Sequence, residues 1–525
     1  MQVNIEEVIN DYRIFFTRLQ RSNHFSRLGK TFSTNKIKYL YDTGTGKVLE
    51  CEDHAYMVLD CLFRTNDFEK LLDLNISQEE LINAFYIIKQ AIEQENILLA
   101  LPVDKFLGTS ADLVDSVVNH NLGQLTLELT ERCNLNCEYC IYGNQNNTFR
   151  EFGQGDMSFD TAKKAIDYAA AHSGERLAIT FYGGEPLLKF DLLRNCVEYA
   201  QSTIKNKELS YSITTNLVLM TPEIATYLAS IDRFMVVCSM DGPEEIHDEY
   251  RRFPSGIGSH KYVIRGLKNL VDAIGDNTVG RMSFSMVMAN VSDKDYFDKI
   301  QRFFDSLDWL PSQISKNVTY AQWGKKPEEY QNLESEYELE YMDRPVSEMD
   351  PAREWTEHMI KDINNIELEI NPLYTAKRLD DGLLSIHNRG IYNIPIQGYH
   401  FNGCCIPGAR RLYTTVDGYY KVCERVGISP YIGHVDTGYD LNVVMRYYIN
   451  DFMTGAVKYC NKCWAVQLCS LCYLECFNES GLDISGRHAL CRSHRYTCVA
   501  NLKKYHEILE SSPESLDYLN QYRLY

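Results

Sequence analysis

The chain has 525 residues and a formal net charge of −19, and its composition is 45% hydrophobic and 24% charged. This composition is close to the globular average and excludes a largely disordered chain, while the length suggests about three domains. An acidic chain without a basic block is a poor candidate for binding nucleic acid. No run approaches the roughly 18 apolar residues of a membrane span, and the first residues lack a signal-peptide pattern, so we expect a cytoplasmic protein without membrane contact.

Residues 1–105 are expected to form a small α+β unit. Alternating apolar residues predict its strands, and the glutamate three residues after Ser77 has the spacing of a capping box at the start of a helix. The predicted strands are 36–41, 47–51 and 97–101, and the predicted helices are 54–63 and one that begins after Ser77.

The second domain, residues 106–323, alternates predicted strands with predicted helices. The strands are expected at 124–130, 177–182, 209–215, 234–240, 281–288 and 317–323. The helices between them are expected at 158–171, 191–204, 222–230, 262–273 and 292–306. This alternation predicts a parallel sheet, either open or barrel-like.

The rest of the chain is less regular. Residues 324–400 begin with an acidic tract and are interpreted as an insertion or linker. Residues 401–500 are rich in cysteine and short of periodic segments, so we expect a scaffold held by metal clusters rather than a large apolar core. Residues 501–525 are expected to form a C-terminal tail, continuing a helix predicted at 497–509.

The 17 cysteines are unevenly distributed. Three lie within 133–140, ten lie between 404 and 498, and four occur singly in apolar stretches. In a reducing compartment, clustered cysteines usually bind metal or carry out redox chemistry, whereas single ones usually pack in the core. We therefore expect core packing for Cys51, Cys61, Cys196 and Cys238.

Cys133, Cys137 and Cys140 form a C-x3-C-x2-C run directly after the strand predicted at 124–130. In a parallel α/β barrel, residues at the carboxyl end of a strand face the active site. Three thiolates on one loop can hold three irons of a four-iron cluster and leave the fourth iron open to a substrate or cofactor. The alternatives are a zinc site or plain loop cysteines, although structural zinc sites favour four ligands and paired C-x2-C spacing.

This run resembles the signature of radical S-adenosylmethionine (SAM) enzymes, whose fold is a partial (β/α)6 barrel and whose open iron chelates SAM. Gly183, Gly184 and Glu185 precede a proline and resemble the GGEP motif of that family, which meets the SAM amino group. Asn216 ends the third predicted strand, and Ser239, followed by Asp-Gly-Pro, ends the fourth. The resemblance implies contacts from these positions to the ribose and methionine of SAM.

Two further positions extend the resemblance. The stretch from His247 to Arg251 resembles the HDxxR sequence of the subgroup that carries C-terminal auxiliary clusters. The resemblance implies that Arg251 pairs with the SAM carboxylate. Tyr139 occupies the aromatic position between the last two cysteines, where the family packs a ring near adenine.

The C-terminal cysteines resemble the SPASM domain, which binds two auxiliary four-iron clusters. The usual spacing of that domain would place a cysteine at Tyr473, but this chain has Cys472 and Cys476 instead. Two fully ligated clusters need eight thiolates and ten are present, so the assignment stays open. A pair of zinc-ribbon sites is the alternative.

By analogy with that domain, each auxiliary cluster has an expected ligand set. The first would take Cys405, Cys423 and one of Cys472 or Cys476, with Cys404 as the fourth ligand or an open iron. The second would take Cys460, Cys463, Cys469 and Cys491, which leaves Cys498 as a spare or alternative ligand. Glu424 follows Cys423, a position where some SPASM enzymes have an acidic general base, and it is a candidate base or a structural glutamate.

The order of strands and helices in about residues 30–105 resembles the RiPP recognition element, a winged-helix-like domain. Domains of that kind bind the leader of a ribosomally made peptide as an added strand at a sheet edge. The resemblance rests on pattern and position, and a plain cap on the barrel is the alternative.

Together, these resemblances imply a radical SAM/SPASM peptide maturase with an α/β fold. Its parts would be an N-terminal winged-helix-like domain, a partial (β/α)6 barrel and a C-terminal SPASM domain. The implied cofactors are S-adenosyl-L-methionine and three 4Fe-4S clusters, one binding SAM and two auxiliary. The implied partners are a precursor peptide, whose leader the N-terminal domain binds, and a low-potential electron donor such as flavodoxin or ferredoxin.

The implied product is a thioether or carbon–carbon cross-link made after hydrogen abstraction by a 5'-deoxyadenosyl radical. Two other enzymes share parts of this pattern: a sulfatase-maturase-like protein oxidase and a peptide epimerase. A cluster-binding redox sensor or scaffold is the alternative without catalysis.

Overall fold

The structure is a computed structural model that describes residues 5–20, 25, 28–143, 152–289, 295–321, 382–401, 403–474, 476–488 and 490–521. The N-terminal unit consists of one helix, a three-stranded antiparallel sheet in the order β1-β2-β3, and two further helices. These elements are α1 (Ile5–Leu19), β1 (Gly29–Ser33), β2 (Lys38–Asp42), β3 (Val48–Glu50), α2 (Asp53–Thr65) and α3 (Gln78–Glu95).

The capping box predicted at Ser77 is confirmed, because its hydroxyl accepts from the Glu80 N–H while the Glu80 side chain accepts from the Ser77 N–H. The strand predicted at 97–101 is wrong. Leu98 has a left-handed φ of 57°, and its N–H donates to the Asp42 carboxylate at 2.8 Å instead of to a neighbouring strand. The segment therefore closes over the end of β2 as a buried loop.

The second domain contains a run of six parallel strands in sequential order. They are β4 (Gln124–Thr130), β5 (Arg176–Gly183), β6 (Glu208–Thr215), β7 (Phe234–Ser239), β8 (Met282–Met288) and β9 (Lys316–Tyr320). Its helices are α4 (Ala111–His120), α5 (Phe159–His172), α6 (Phe190–Thr203), α7 (Pro222–Ser230), α8 (Glu244–Tyr250), α9 (His260–Ile274), α10 (Thr278–Arg281) and α11 (Tyr296–Asp305).

Every strand and helix predicted between 122 and 322 is present, most of them with ends shifted by a few residues, and the predicted parallel sheet is confirmed. Parts of the elements predicted at 292–306 and 317–323 lie outside the described residues. Along β4, the fully buried Leu125, Leu127 and Leu129 alternate with polar residues, which gives the sheet one apolar face and one polar face.

The cysteine-rich region joins this sheet directly. Strand β10 (Arg411–Thr414) pairs in parallel with β4, and three short antiparallel strands follow it, so the sheet has ten strands in all among the described residues. They are β11 (Tyr419–Lys421), β12 (Gly433–His434) and β13 (Gly438–Tyr439). The expectation that this region lacks a large apolar core is wrong, because Val416, Tyr420 and Phe452 belong to the core of the parallel sheet.

The C-terminal part ends in helices that reach the N-terminal unit. Its elements are a π-helical stretch (Val444–Asp451), α12 (Phe452–Cys460), the hairpin of β14 (Phe477–Asn478) and β15 (Gly481–Leu482), α13 (Ile484–His488) and α14 (Cys491–Ser511). Trp464, Cys498 and Leu502 share one apolar core with the N-terminal unit, and the Thr43 hydroxyl donates to the Trp464 carbonyl at 2.8 Å.

Most of the segment predicted as an insertion or linker, 322–381, lies outside the described residues. The described remainder packs on the N-terminal unit. It contains a helix at 382–387, after which the Tyr392 and Ile396 N–H groups donate to the carbonyls of Thr45 and Gly44. No helix within the described ranges is long and apolar enough to cross a membrane.

Candidate functional site

The first cysteine group lies on the loop that follows β4. Cys133, Cys137 and Cys140 are all half-buried. The loop is held from one side, because the Asn136 N–H donates to the Arg252 carbonyl at 2.7 Å and the Glu138 N–H donates to the Tyr250 carbonyl at 3.0 Å. The three thiols are thereby fixed at the carboxyl end of the strand, as predicted from the sequence.

The three thiols also influence one another. Burial raises the pKa of Cys133, and the nearby Glu185, Cys137 and Cys140 raise it further. Burial raises the pKa of Cys137 to about 12, with Arg251 lowering it and Cys140 raising it. In the part of the chain that the structure describes, no three His, Cys, Asp or Glu side chains meet closely enough to hold one metal ion. Three thiols on one loop match three irons of a four-iron cluster, whereas a structural zinc site takes four ligands.

The two glycines after β5 let the chain approach the cysteine loop closely. A Cβ on Gly183, whose φ is 141°, would lie 2.3 Å from the Thr130 carbonyl oxygen, and one on Gly184 would lie 2.1 Å from that of Arg132. The Gly184 and Glu185 N–H groups donate to the same two carbonyls, at 2.8 and 2.9 Å. The close approach here is to the loop that leads into Cys133.

Glu185 is a buried carboxylate, 1% exposed, that joins the ends of two strands. One oxygen accepts from the Leu187 N–H and the Thr215 hydroxyl, and the other accepts from the Asn216 N–H at 2.8 Å. Burial raises the pKa of Glu185 to about 7, although these hydrogen bonds lower it. The Asn216 amide donates to the Asn134 side chain at 2.7 Å, so both predicted SAM contacts also brace the cysteine loop.

Arg251 forms a buried ion pair with Asp241, which is 1% exposed. Its Nε donates to Oδ2 at 2.8 Å and its Nη2 to Oδ1 at 3.2 Å. The Tyr139 hydroxyl and the Val287 N–H also donate to this carboxylate, and the Arg251 guanidinium lies 5.2 Å from the centre of the Tyr139 ring. Burial alone would raise the pKa of Asp241, but Arg251 holds it below its usual value.

The rest of the HDxxR stretch supports this pair. Burial lowers the pKa of His247 to about 3, so its imidazole is neutral. The Asp241 N–H donates to Nδ1 at 3.4 Å, and Nε2 donates to the Ser259 hydroxyl, which in turn donates to the Arg251 carbonyl. The stretch thus forms the platform on which both Arg251 and the cysteine loop rest.

The polar face of the sheet carries a chain of hydrogen-bonded side chains across neighbouring strands. The Gln124 amide donates to the Thr180 hydroxyl, which is hydrogen-bonded to Ser212 on the next strand, and Ser239 is half-buried at the end of β7. Burial raises the pKa of Tyr182, and Glu424 and Cys140 raise it further. Tyr182 therefore lies between the first cysteine group and the C-terminal region.

Glu424 forms an ion pair with Arg411, whose Nη1 contacts both carboxylate oxygens at 2.5 and 2.6 Å. Arg411 also donates to the Gln124 side chain at 3.2 Å. The carboxylate is therefore neutralised by its own chain. A role for Glu424 as a general base stays a prediction.

Four C-terminal cysteines form a second group: Cys460, Cys463, Cys469 and Cys491. Burial raises the pKa of Cys463, and the other three thiols raise it further. Burial likewise raises the pKa of Cys491 to about 12, with Arg487 lowering it and Cys460 and Cys469 raising it. This is the set that the sequence predicted for the second auxiliary cluster.

A third group consists of Cys404, Cys423, Cys472 and Cys476. Burial raises the pKa of Cys404, Arg487 lowers it, and Cys472 and Cys476 raise it. Burial and Glu424 raise the pKa of Cys423, and Cys472 contributes as well. Cys405, which the sequence placed in this set, is exposed, whereas Cys404 lies among the others.

The sequence prediction did not include Arg487, which lies between the second and third cysteine groups. Its Nη1 is 4.0 Å from the Cys460 sulfur and its Nη2 is 3.7 Å from the Cys469 sulfur. A single arginine between two cysteines in a sequence does not by itself indicate a structural or functional role. Cys498, predicted as a spare ligand, is buried 3.7 Å from His494 Nε2.

Comparison with known proteins assigns the parallel-sheet domain. Residues 127–303 match the family model of the Radical SAM superfamily. An uncharacterized protein of Methanocaldococcus jannaschii is 39% identical over 143 residues, 27% of this chain and 46% of that protein. A serine-type anaerobic sulfatase-maturating enzyme of Bacteroides thetaiotaomicron is 31% identical over 140 residues, 26% of this chain and 34% of the enzyme.

Mycofactocin maturase MftC of Mycobacterium tuberculosis is 33% identical over 177 residues, 33% of this chain and 40% of that protein. The chain thus spans about half or less of the length of the curated relatives it matches. The solved structure of native anSMEcpe with bound AdoMet superimposes with a TM-score of 0.52 at 19% identity, covering 76% of this chain and 100% of that one. Residues 127–303 therefore form a radical SAM domain with the parallel-sheet α/β fold of that superfamily.

Proposed function

We propose that the protein is a radical SAM enzyme that modifies a ribosomally made peptide by forming thioether or carbon–carbon cross-links. The observation that carries this proposal is the loop of Cys133, Cys137 and Cys140, which follows the carboxyl end of β4 and is held there by backbone hydrogen bonds to residues 250 and 252. When bound there, a four-iron cluster with SAM supplies a 5'-deoxyadenosyl radical that takes hydrogen from an unactivated carbon. The names of the relatives, a maturating enzyme and a maturase, support a peptide or protein substrate.

We assign the binding of SAM to residues around this loop. They are Tyr139, Gly183, Gly184, Glu185, Asn216, Ser239 and Arg251. The glycines and Glu185 hold the loop against β5 and β6, which fixes the spacing of the thiols. The ring of Tyr139 is held by the ion pair beneath it, a preformed stacking surface for a planar base.

The polar face of the sheet suits a peptide substrate. Its half-buried hydroxyl and amide groups on β4, β5 and β6 are hydrogen-bonded to one another. Such groups can exchange these bonds for bonds to a peptide backbone when water is displaced. Tyr182 marks the end of this face that lies toward the C-terminal cysteines.

We propose two auxiliary clusters in the C-terminal part. One is held by Cys460, Cys463, Cys469 and Cys491, and the other by Cys404, Cys423, Cys472 and Cys476. The four thiols of each set lie near one another. Cys405 is exposed, and we leave it out of the second set. Four thiolates are the usual ligand set of a 4Fe-4S cluster.

For the N-terminal unit we propose recognition of the leader of the peptide. Strand β3 is an edge strand, since it pairs with β2 alone among the described strands, and its residues are half-buried or exposed. An added peptide strand at this edge would be β-augmentation. The opposite side of the sheet is occupied by α14, where Glu510 accepts from the hydroxyls of Thr34 and Tyr39.

A protein oxidase of the sulfatase-maturating kind is the second candidate. The sequence likeness to serine-type and cysteine-type sulfatase-maturating enzymes supports it. Oxidation of a serine to an aldehyde removes two hydrogens, as one cross-link does, so mass alone does not separate the two reactions. A hydrazide probe separates them because it labels only the aldehyde.

The test is anaerobic co-expression with any short open reading frame that lies beside the gene, followed by intact mass and fragmentation of the encoded peptide. We expect the loss of two hydrogens for each event, no hydrazide labelling, and fragments that remain joined across the linked residues. A labelled product would support the oxidase instead. An unchanged mass with deuterium incorporated from heavy water would identify an epimerase.

A matched pair of variants links the product to the cysteine loop. Cys137→Ala should abolish both 5'-deoxyadenosine and the peptide product. Cys196→Ala changes a cysteine that is buried in the core of α6, so it should retain both. Formation of 5'-deoxyadenosine by the Cys137→Ala protein would refute the proposed cluster site.

A further inference from the structure

Arg487 is one of the largest fully buried side chains of the protein, with 1% of its surface exposed. It lies on α13, between the two proposed auxiliary clusters. Its Nη1 is 4.0 Å from the sulfur of Cys460, and its Nη2 is 3.7 Å from the sulfur of Cys469. The Leu471 carbonyl oxygen, to which Nη2 donates, also lies 3.9 Å from the sulfur of Cys404, which belongs to the other cluster set.

The surroundings of Arg487 contain no carboxylate among the described residues. Its one oxygen partner is the Leu471 carbonyl at 3.1 Å, and its Nε has no hydrogen-bond partner. Two aromatic rings, Phe401 and Phe452, lie 5.4 and 5.6 Å from the centre of its guanidinium. A guanidinium cannot lose its proton, so it stays charged in this setting.

A buried charge without a counterion is strongly destabilising. The cysteines are the only other polar groups that the structure brings to this guanidinium within the described residues. Neutral thiols would leave the charge of Arg487 without a counterion among the described residues. Anionic sulfurs ligated to iron would compensate it, and they would do so from two sides.

We propose that Arg487 is a positioning residue that stabilises the anionic clusters on either side of it and raises the reduction potential of the cluster held by Cys460, Cys463, Cys469 and Cys491. This inference rests on the proposed function, because it needs the auxiliary clusters. Adding one electron from a chemical reductant makes a thiolate-ligated cluster more negative, and a fixed cation in a dry site favours that state. No proton is taken up with the electron, since the guanidinium is already charged.

The test is an anaerobic redox titration of the full-length protein followed by electron paramagnetic resonance, together with iron and sulfide analysis. The variants are Arg487→Met, which keeps the length without the charge, and Arg487→Lys, which keeps the charge. Arg389→Met is the matched control, because Arg389 is a half-buried arginine whose hydrogen bonds go to the carbonyls of Gly46 and Ile386. None of these measurements depends on turnover of a peptide.

We expect Arg487→Met to shift the midpoint potential of one auxiliary signal to a more negative value and to leave the SAM-cluster signal unchanged. Arg487→Lys should lie between that variant and the native protein, and Arg389→Met should match the native protein. Loss of iron in Arg487→Met with retention in Arg487→Lys would also support the proposal, because charge then decides occupancy.

Three results would overturn it. An unchanged potential in an iron-replete Arg487→Met protein would overturn this inference alone and leave the proposed function intact. Equal loss of iron in the Met and Lys variants would also overturn it, because packing and not charge would then be responsible. A native protein that reconstitutes with about four irons instead of about twelve would refute the auxiliary clusters themselves.

Discussion

Arg251 and Arg487 are both buried beside cysteine groups, but their charges are balanced in different ways. Arg251 is paired with Asp241, which also accepts from Tyr139 and from the Val287 N–H. Arg487 has sulfurs, one carbonyl and two aromatic rings around it, and no carboxylate among the described residues. The charge of the first arginine is therefore balanced within the polypeptide, whereas that of the second has no counterion among the described residues and, in the function proposed above, is balanced by the clusters.

This difference corresponds to two kinds of cluster site, one with an open iron and one fully enclosed by protein ligands. A site that must open one iron to a small molecule benefits from a scaffold that keeps its shape whether or not the cluster is present. A site whose cluster is fully enclosed by protein ligands can let the cluster serve as part of the core.

The largest expected effect is on turnover, and it distinguishes the two sites. Cys137→Ala should abolish 5'-deoxyadenosine formation while changing the midpoint of urea unfolding little, because the Arg251 pair remains intact. Cys463→Ala should leave some 5'-deoxyadenosine formation but lower the unfolding midpoint clearly. Product analysis by chromatography and urea titration on the same samples check this, and equal stability losses would contradict the comparison.

Removing iron by anaerobic chelation should affect the two regions unequally. We expect amide protection in α13 and α14 to fall by about 3–5 kcal/mol, the cost of leaving a buried charge without its partner. Protection in β4 to β7 should change by less than about 1 kcal/mol. Hydrogen–deuterium exchange with mass spectrometry measures both regions in one sample, and a uniform loss across the chain would be evidence against the difference.

Asp241→Asn should remove the carboxylate that pairs with Arg251, so that this arginine, like Arg487, has no carboxylate partner among the described residues. It leaves Arg251 buried without a counterion, so we expect a loss of about 3–5 kcal/mol in the free energy of unfolding. The double variant with Arg251→Met should recover part of that loss. Asp232→Asn is the control, since the Asp232 side chain is 93% exposed. Additive single losses in the double variant would show that the pair is not coupled.

The smallest expected effect is a pH dependence of the first site. Burial lowers the pKa of His247 to about 3, below the ordinary value of 6.5 that applies in the unfolded chain. A lowered histidine pKa means that its contribution is complete above pH 6.5 and is lost as the pH falls from there toward 3. Stability should therefore decline by up to roughly 1.4 kcal/mol for each pH unit in that window.

His247→Gln should flatten this decline, because glutamine does not titrate and can still hydrogen-bond. The comparison is made by urea unfolding of both proteins at several pH values between 4 and 7. A decline of the same slope in both would assign the effect to other groups.

The parallel sheet was predictable because its signal is local. Each strand is a short apolar run followed by an amphipathic helix, and β4 was predicted at its observed bounds, Gln124–Thr130. Helix α1 could also have been predicted, because Val8, Tyr12 and Phe16 recur at helical spacing, but the sequence analysis omitted it. Strand β10 has only four residues, and its partner β4 lies far back in the sequence. Local pattern cannot specify such a pairing.

The candidate site divides in the same way. Cysteine spacing predicted that the thiols of the first group, and those of Cys460, Cys463, Cys469 and Cys491, lie near one another, because these cysteines lie close in sequence or follow a known order. Choosing Cys404 over Cys405 requires the fold, since adjacent residues differ only in the direction of their side chains. The part played by Arg487 is a matter of charge balance in three dimensions, which a sequence does not display.

The pairing of β10 with β4 has a consequence for dividing the protein. On that side of β4, residues 411–414 pair with residues 124–127. A fragment that stops before residue 401 would leave that side of an apolar strand unpaired, and such an edge is a template for aggregation. The radical SAM domain is therefore not expected to fold well without the C-terminal region. A chimera with the C-terminal region of another protein would fold only if that region supplied a strand that pairs with the same edge of β4.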